Sequence, residues 1–170
     1  ARLAAAMAVS DIDFSDYAAL CHAFTIGGTK NGLLFGEALV ITEPSLMPSF
    51  RRCMKQQGAM LAKGRLLGVQ FDTVLKNGLY QQLGQQSTET AKLLADGMEK
   101  LGIPMLINSP SNQLFPILRN EIIEKLSESV SFEHWSRVDA THSCIRFVTA
   151  WHTTKDEVNE LLALLQQPTC

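Results

Sequence analysis

Apolar positions along this chain change rhythm twice. Ala23-Phe24-Thr25-Ile26 and Ala38-Leu39-Val40-Ile41 are short apolar runs on either side of a glycine-rich stretch, each the length of a buried strand. Ahead of them, Tyr17, Ala18, Leu20 and Cys21 follow Asp11 and Asp13, which predicts a short capped helix over residues 15–22. From residue 45 to 102 the apolar positions recur at steps of three and four: Met47, Phe50, Met54 and Leu61, then Leu66, Leu67, Phe71, Val74 and Leu75. That spacing predicts helices throughout, each with one apolar stripe. Pro48 suits a first turn, and Asn77-Gly78 suits a stop and restart. Leu93, Leu94, Met98 and Leu101 predict a long helix over residues 88–101, ended by Gly102.

Beyond Gly102 the rhythm shortens. Residues 105–107 and 114–118 read as strands joined by the turn-rich Asn108-Ser109-Pro110-Ser111-Asn112. Residues 120–127 read as a helix, 131–138 and 143–149 as paired strands, and 154–165 as a closing helix. Thr154 and Glu157 have the capping-box spacing, in which each side chain bonds the other residue's amide. The expected layout of this part is an α/β layer on a small, largely antiparallel sheet.

A chain of 170 residues can bury one core, or a small domain plus part of another. Its 46% hydrophobic content is globular, and 15 basic against 17 acidic residues give no electrostatic reason to expect nucleic acid or an anionic membrane. Small-molecule chemistry is the expectation. The Ala-rich opening as far as Val9 is too short for a membrane span, which needs about 20 apolar residues. Cys21, Cys53, Cys144 and Cys170 lack C-x-x-C spacing, so neither a zinc site nor a disulfide framework is expected, and reduced thiols in the cytoplasm are the simple reading. His22, His134, His142 and His152 have no metal-like spacing, and Trp135 and Trp151 read as packing residues.

The candidate chemistry lies in Thr25-Ile26-Gly27-Gly28-Thr29-Lys30-Asn31-Gly32-Leu33-Leu34-Phe35-Gly36. Here one lysine stands in a glycine frame between two core strands. Gly27, Gly28 and Gly32 suit a sharp turn or a close approach, while Thr25 and Thr29 leave hydroxyls beside it. Enclosed there, a lysine would be held toward the neutral amine that Schiff-base chemistry uses. On local sequence alone the same glycines and Asn31 are more commonly an ordinary hairpin turn with a solvated lysine. The phosphate-loop spacing is absent, since Lys30 is followed by Asn31. In residues 143–149, alternation puts Arg146 and Val148 on the face opposite Ile145 and Phe147. A strand arginine of this kind serves either an ion pair or a bidentate hold on a carboxylate.

Gly27-Gly28-Thr29-Lys30-Asn31-Gly32, with Leu33 to Ala38 after it, resembles the pyridoxal-phosphate (PLP) lysine segment of the threonine aldolase and β-eliminating lyase family, which has the aspartate aminotransferase fold. Residues 54–65 resemble that family's helix after the lysine strand, Ser111 to Pro116 a strand of its small domain, and Ile145 to Trp151 the strand bearing the arginine that receives the substrate carboxylate. The blocks fall in family order. The resemblance implies the C-terminal part of a fold-type I PLP enzyme of α/β class. Residues 1–44 would be a remnant of the PLP-binding large domain, 45–102 bridging helices, and 103–170 a small domain with a mainly antiparallel sheet.

The resemblance further implies Lys30 as the Schiff-base lysine, with Gly28 and Thr29 beside the cofactor, and Arg146 and Arg2 on the substrate carboxylate. A basic residue from the group Lys55, Lys63 and Arg65 would reach the cofactor phosphate of a neighbouring subunit, and Lys55 holds the position where relatives more often carry Arg. The family's aspartate for the pyridine nitrogen would lie just before residue 1, together with the ring-stacking side chain and the main phosphate turn. A C-terminal fragment, inactive alone, is therefore expected. The implied reaction is retro-aldol cleavage of threonine or allo-threonine to glycine and an aldehyde by a homodimer or homotetramer. β-Elimination or transamination on the same scaffold, and a non-catalytic assembly domain, are the alternatives.

Overall fold

The computed structural model describes residues 2–166. The chain divides into two compact units, Ala1–Gly84 and Gln85–Cys170.

The first unit begins with helices α1 (Leu3–Met7) and α2 (Phe14–Leu20). Asp13 caps α2: its carboxylate accepts from the amides of Ser15 at 2.6 Å and Asp16 at 3.1 Å, while the Asp16 carboxylate accepts from the Asp13 amide at 2.8 Å. Strands β1 (Ala23–Gly27) and β2 (Glu37–Ile41) then pair antiparallel, from Ala23 opposite Ile41 to Gly27 opposite Glu37. The two apolar runs form strands where expected, but not buried ones: only Ile26 and Gly27 of β1 are buried, and Leu39 of β2 is 48% exposed. A 3₁₀ turn (Pro44–Leu46), α3 (Phe50–Gln56) and α4 (Arg65–Leu75) follow, and α5 (Leu79–Lys100) begins after a second 3₁₀ turn, Lys76–Gly78. Ala4, Ile26, Leu33, Phe71, Val74 and Tyr80 form this unit's core.

The helical stretch is less continuous than its apolar spacing suggests. The block 54–65 is not one helix, because α3 stops where Gly58 takes φ 66° and the amides of Gly58 and Ala59 bond back to the carbonyls of Lys55 and Met54. A glycine in the left-handed region closes a helix at little steric cost. Pro48 lies ahead of α3, and it is Pro44 that takes a first-turn position, in the 3₁₀ turn. The stop and restart at Asn77 (φ 55°) and Gly78 (φ 72°) is as expected.

In the second unit, β6 (His142–Val148) is the central strand. It pairs antiparallel with β5 (Glu133–Arg137), with β3 (Gln113–Leu114) near its C-terminal end, and with β4 (Ile117–Arg119) near its N-terminal end. Helices α6 (Asn120–Leu126) and α7 (Lys155–Gln166) complete it. The expected antiparallel sheet is present, with two corrections. The run 114–118 is broken at Pro116, which has no N–H for a ladder, and 105–107 contributes only a bridge from Met105 to Pro116. The core gathers Leu94, Met98, Leu118, Ile123, Ile145 and Phe147 among others. Gly102, at φ 71°, ends α5, and its capping bond from the Ile103 amide reaches the Met98 carbonyl at 3.0 Å. The Thr154–Glu157 capping box opens α7 as expected: Glu157 Oε2 accepts from the Thr154 amide at 2.7 Å, and Thr154 Oγ1 from the Glu157 amide at 3.2 Å.

No described helix is long and apolar enough to cross a membrane. Ala1 and Cys170 lie outside the described residues.

Candidate active site

The glycine frame between β1 and β2 is a closed turn. The Gly28 amide donates to the Gly36 carbonyl at 3.2 Å, and the Gly28 carbonyl accepts from the amides of Asn31 at 2.8 Å and Leu33 at 3.2 Å. A Cβ on Gly28 would stand 2.6 Å from Leu33 Cδ2 and 3.0 Å from the Gly36 carbonyl oxygen, so a side chain there would have to displace Leu33 and press on the Gly36 carbonyl. Gly32 and Gly36, at φ 90° and 109°, turn the chain on either side of the Leu33-Leu34-Phe35 segment.

Two further elements hold this turn. The Asn31 side chain is buried, and its Nδ2 donates to the Tyr80 carbonyl at 2.9 Å. The Tyr80 hydroxyl, also buried, donates to the Gly27 carbonyl at 3.1 Å, and burial pushes it up to about 12. On the far side, the Leu34 amide donates to Gln70 Oε1 on α4 at 2.9 Å.

Lys30 and Thr29 sit at the crest and are exposed. This corrects the expectation of an enclosed lysine: the chain reverses around the Gly28 carbonyl, which turns Asn31 and Leu33 into the core and leaves the two residues before them outward. Among the described residues, the Lys30 amine has no hydrogen-bond or ion-pair partner. Gly28, Thr29 and Lys30 therefore share one pinned turn that presents a primary amine.

The other expected site residues are spread over the fold. Arg2 precedes α1, and its carbonyl accepts from the Ala6 amide at 3.1 Å. Lys55 is exposed in the last turn of α3, where with Arg51, Gly58 and Met60 it lines an open basin of about 400 Å³.

Arg146 belongs to the second unit. Ile145 and Phe147 point into the core as alternation requires, and Arg146 takes the opposite face. Its Nη2 donates to the carboxylate of Glu133, its cross-strand partner on β5, and its Nη1 donates to Gln113 Oε1 at 3.2 Å. The guanidinium lies 5.5 Å from the Trp135 ring centre, and Trp135 in turn meets Phe115 edge-on at 4.9 Å. Arg146 Nε is buried without a partner among the described residues. Trp135 is thus more than packing.

Sequence reasoning missed Asn31 and Tyr80 as holders of the lysine turn, and Glu133 and Gln113 as partners of Arg146. Glu133 was recoverable from hairpin register once the turn before His142 was fixed. Tyr80 carried no local signal. Among the described residues, no group of three or more His, Cys, Asp or Glu side chains could hold a metal ion.

No family model matches the chain. A low specificity L-threonine aldolase of Pseudomonas aeruginosa is 27% identical over 136 residues, 79% of this chain and 38% of that protein. The solved threonine aldolase of Leishmania major superposes with a TM-score of 0.93 at 39% identity, over 98% of this chain and 49% of that one. A serine palmitoyltransferase of Sphingomonas wittichii shares the fold, with a TM-score of 0.64 at 11% identity over 90% of this chain. The chain spans between 38% and 49% of the length of the two threonine aldolases. In sequence and in fold it is a homologue of the threonine aldolases, built like the C-terminal part of those enzymes.

Proposed function

We propose that the whole protein is a PLP-dependent aldehyde-lyase that cleaves threonine or allo-threonine to glycine and acetaldehyde. The observation that carries this reading is the partnerless Lys30 amine on a turn pinned at both ends, in a chain that superposes on a threonine aldolase over 98% of its length. An aldehyde-bearing cofactor requires an accessible primary amine, and Lys30 offers one on a held backbone turn, which supports PLP as the partner.

PLP would be held through Lys30 until the substrate's amino group takes its place, and would then supply the sink for the electron pair released when the Cα–Cβ bond breaks. Freed by that exchange, Lys30 Nζ would shuttle a proton, so that the one lost from the β-hydroxyl as the bond breaks is made good at the α-carbon. Thr29 offers a hydroxyl beside it, and Gly28 keeps the backbone clear of bulk. Arg146, with Arg2, holds the substrate carboxylate, a task for which a planar guanidinium is suited. Lys55 reaches toward a cofactor phosphate across a homodimer or homotetramer interface, and the enzyme works in the cytoplasm.

Borohydride reduction of the whole protein loaded with PLP tests this. A mass label on the peptide carrying Lys30, with glycine and acetaldehyde formed from threonine, supports it. A label elsewhere, or none, overturns it. Pyruvate and ammonia from serine, with no acetaldehyde from threonine, would make it a β-eliminating lyase instead.

A further inference from the structure

Tyr80 grips the lysine turn at two points. Its hydroxyl holds the carbonyl of Gly27, the last residue of β1, and its own carbonyl holds the side chain of Asn31, the residue after Lys30. Both partners are buried, and Tyr80 is the second residue of α5, directly after the left-handed Asn77 and Gly78 that set where the helix restarts. The three residues between Gly27 and Asn31 therefore span a gap whose two ends rest on one side chain and its backbone. The Lys30 side chain makes no bond to the turn, so what this grip sets, together with the bonds at Gly28, is the backbone from which the amine projects.

We propose that Tyr80 and Asn31 are positioning residues for the Lys30 amine, fixing where it meets its carbonyl partner. The inference rests on the reading of Lys30 as the cofactor lysine. A buried hydroxyl pushed up to about 12 stays protonated over the whole working range, so the bond to Gly27 does not switch off with pH. Asn31 is the right residue on the other side because its amide donates to a carbonyl without bringing a charge into the core.

Tyr80→Phe keeps the ring and removes only the hydroxyl, and Asn31→Leu keeps the bulk, removes the donor and adds no charge beside Lys30. In cofactor-free protein, hydrogen exchange at the amides of Asn31 and Leu33, both bonded to the Gly28 carbonyl, should quicken about five- to tenfold in each variant, the loss expected of one hydrogen bond. In the loaded whole protein, the pH midpoint of the cofactor's absorbance should move in both variants, which a loss of global stability would not produce. If Tyr80→Phe fails to fold, Asn31→Leu carries both measurements. Wild-type exchange rates at those amides, together with an unmoved midpoint, would overturn the positioning role. Absence of a borohydride label on Lys30 in the wild type would instead sink the functional reading beneath it, so the two failures are distinguishable.

Discussion

Glu133 and Arg146 stand opposite one another as register partners of β5 and β6, and the carboxylate closes on the guanidinium. Gln113 takes Nη1, Trp135 lies beneath, and Nε is left buried and unpaired among the described residues. An unpaired buried donor costs about 1–3 kcal/mol, which an incoming carboxylate that engages it would recover. Arg146→Lys removes Nε and the planar fork together. Its expected effect is a rise of about 10- to 100-fold in KM for the amino acid, the range for hydrogen bonds to a charged group, with kcat changed less. An unchanged KM would remove Arg146 from the substrate site. Glu133→Gln should shift stability by less than about 1 kcal/mol, because the Glu133 side chain is 62% exposed and the pair is screened by water.

Alternation along β6 gives a second test. Ile145 is fully buried and Val148 is 42% exposed, on opposite faces of the strand. Ile145→Ala should cost about 2–5 kcal/mol through lost burial and the cavity left behind, whereas Val148→Ala should cost well under half of that. Urea denaturation of the two variants measures the contrast, and equal losses would mean that the strand is turned over.

How far the sequence disclosed this structure depended on the reach of each signal. Ala23–Gly27 and Glu37–Ile41 were legible as strands because each carries a short apolar run, although their burial was not: β1 is buried only at Ile26 and Gly27. The caps at Asp13 and Thr154 were legible because their partners lie within one helical turn. The helix expected over residues 54–65 hid the break at Gly58, because apolar spacing carries no sign of a turn that backbone conformation makes. Pro116 split a strand that side-chain hydropathy alone describes as continuous. The clamp on the lysine turn was beyond reach: Asn31 and Tyr80 are 49 residues apart, and no local pattern relates them.

Two helix-interior glycines should respond oppositely to alanine. In α4, a Cβ on Gly68 would meet nothing within 4 Å, so Gly68→Ala should stabilise by up to about 1 kcal/mol, the helix propensity difference. In α5, a Cβ on Gly84 would stand 2.5 Å from the backbone carbon and oxygen of Ala4 in α1, and a backbone cannot swing aside as a side-chain tip can. Gly84→Ala should therefore destabilise by about 1–3 kcal/mol despite the same propensity gain. Denaturation midpoints that move in the same direction would contradict the close approach of α1 to α5.

The turn between β5 and β6 makes stability depend on acid. Asp139 Oδ1 accepts from the Thr141 amide at 2.7 Å, the Thr141 hydroxyl at 2.9 Å and the His142 amide at 2.7 Å. These bonds, the one from the Thr141 amide foremost, hold its carboxyl at about 2 against an ordinary 3.8. A folded value below the unfolded one means that the charged form is favoured by folding. The contribution is therefore complete above pH 3.8 and is lost as pH falls from there toward 2. Asp139→Asn keeps an acceptor oxygen for the same donors but cannot titrate. Urea midpoints measured from pH 5 down to pH 2 should fall more steeply for the wild type than for Asp139→Asn, with the two curves separating only below about pH 4. Parallel curves through that window would mean that these three bonds do not prefer the charged carboxylate, and that the turn owes its shape to the backbone bonds from the Val138 and Asp139 amides to the His142 carbonyl.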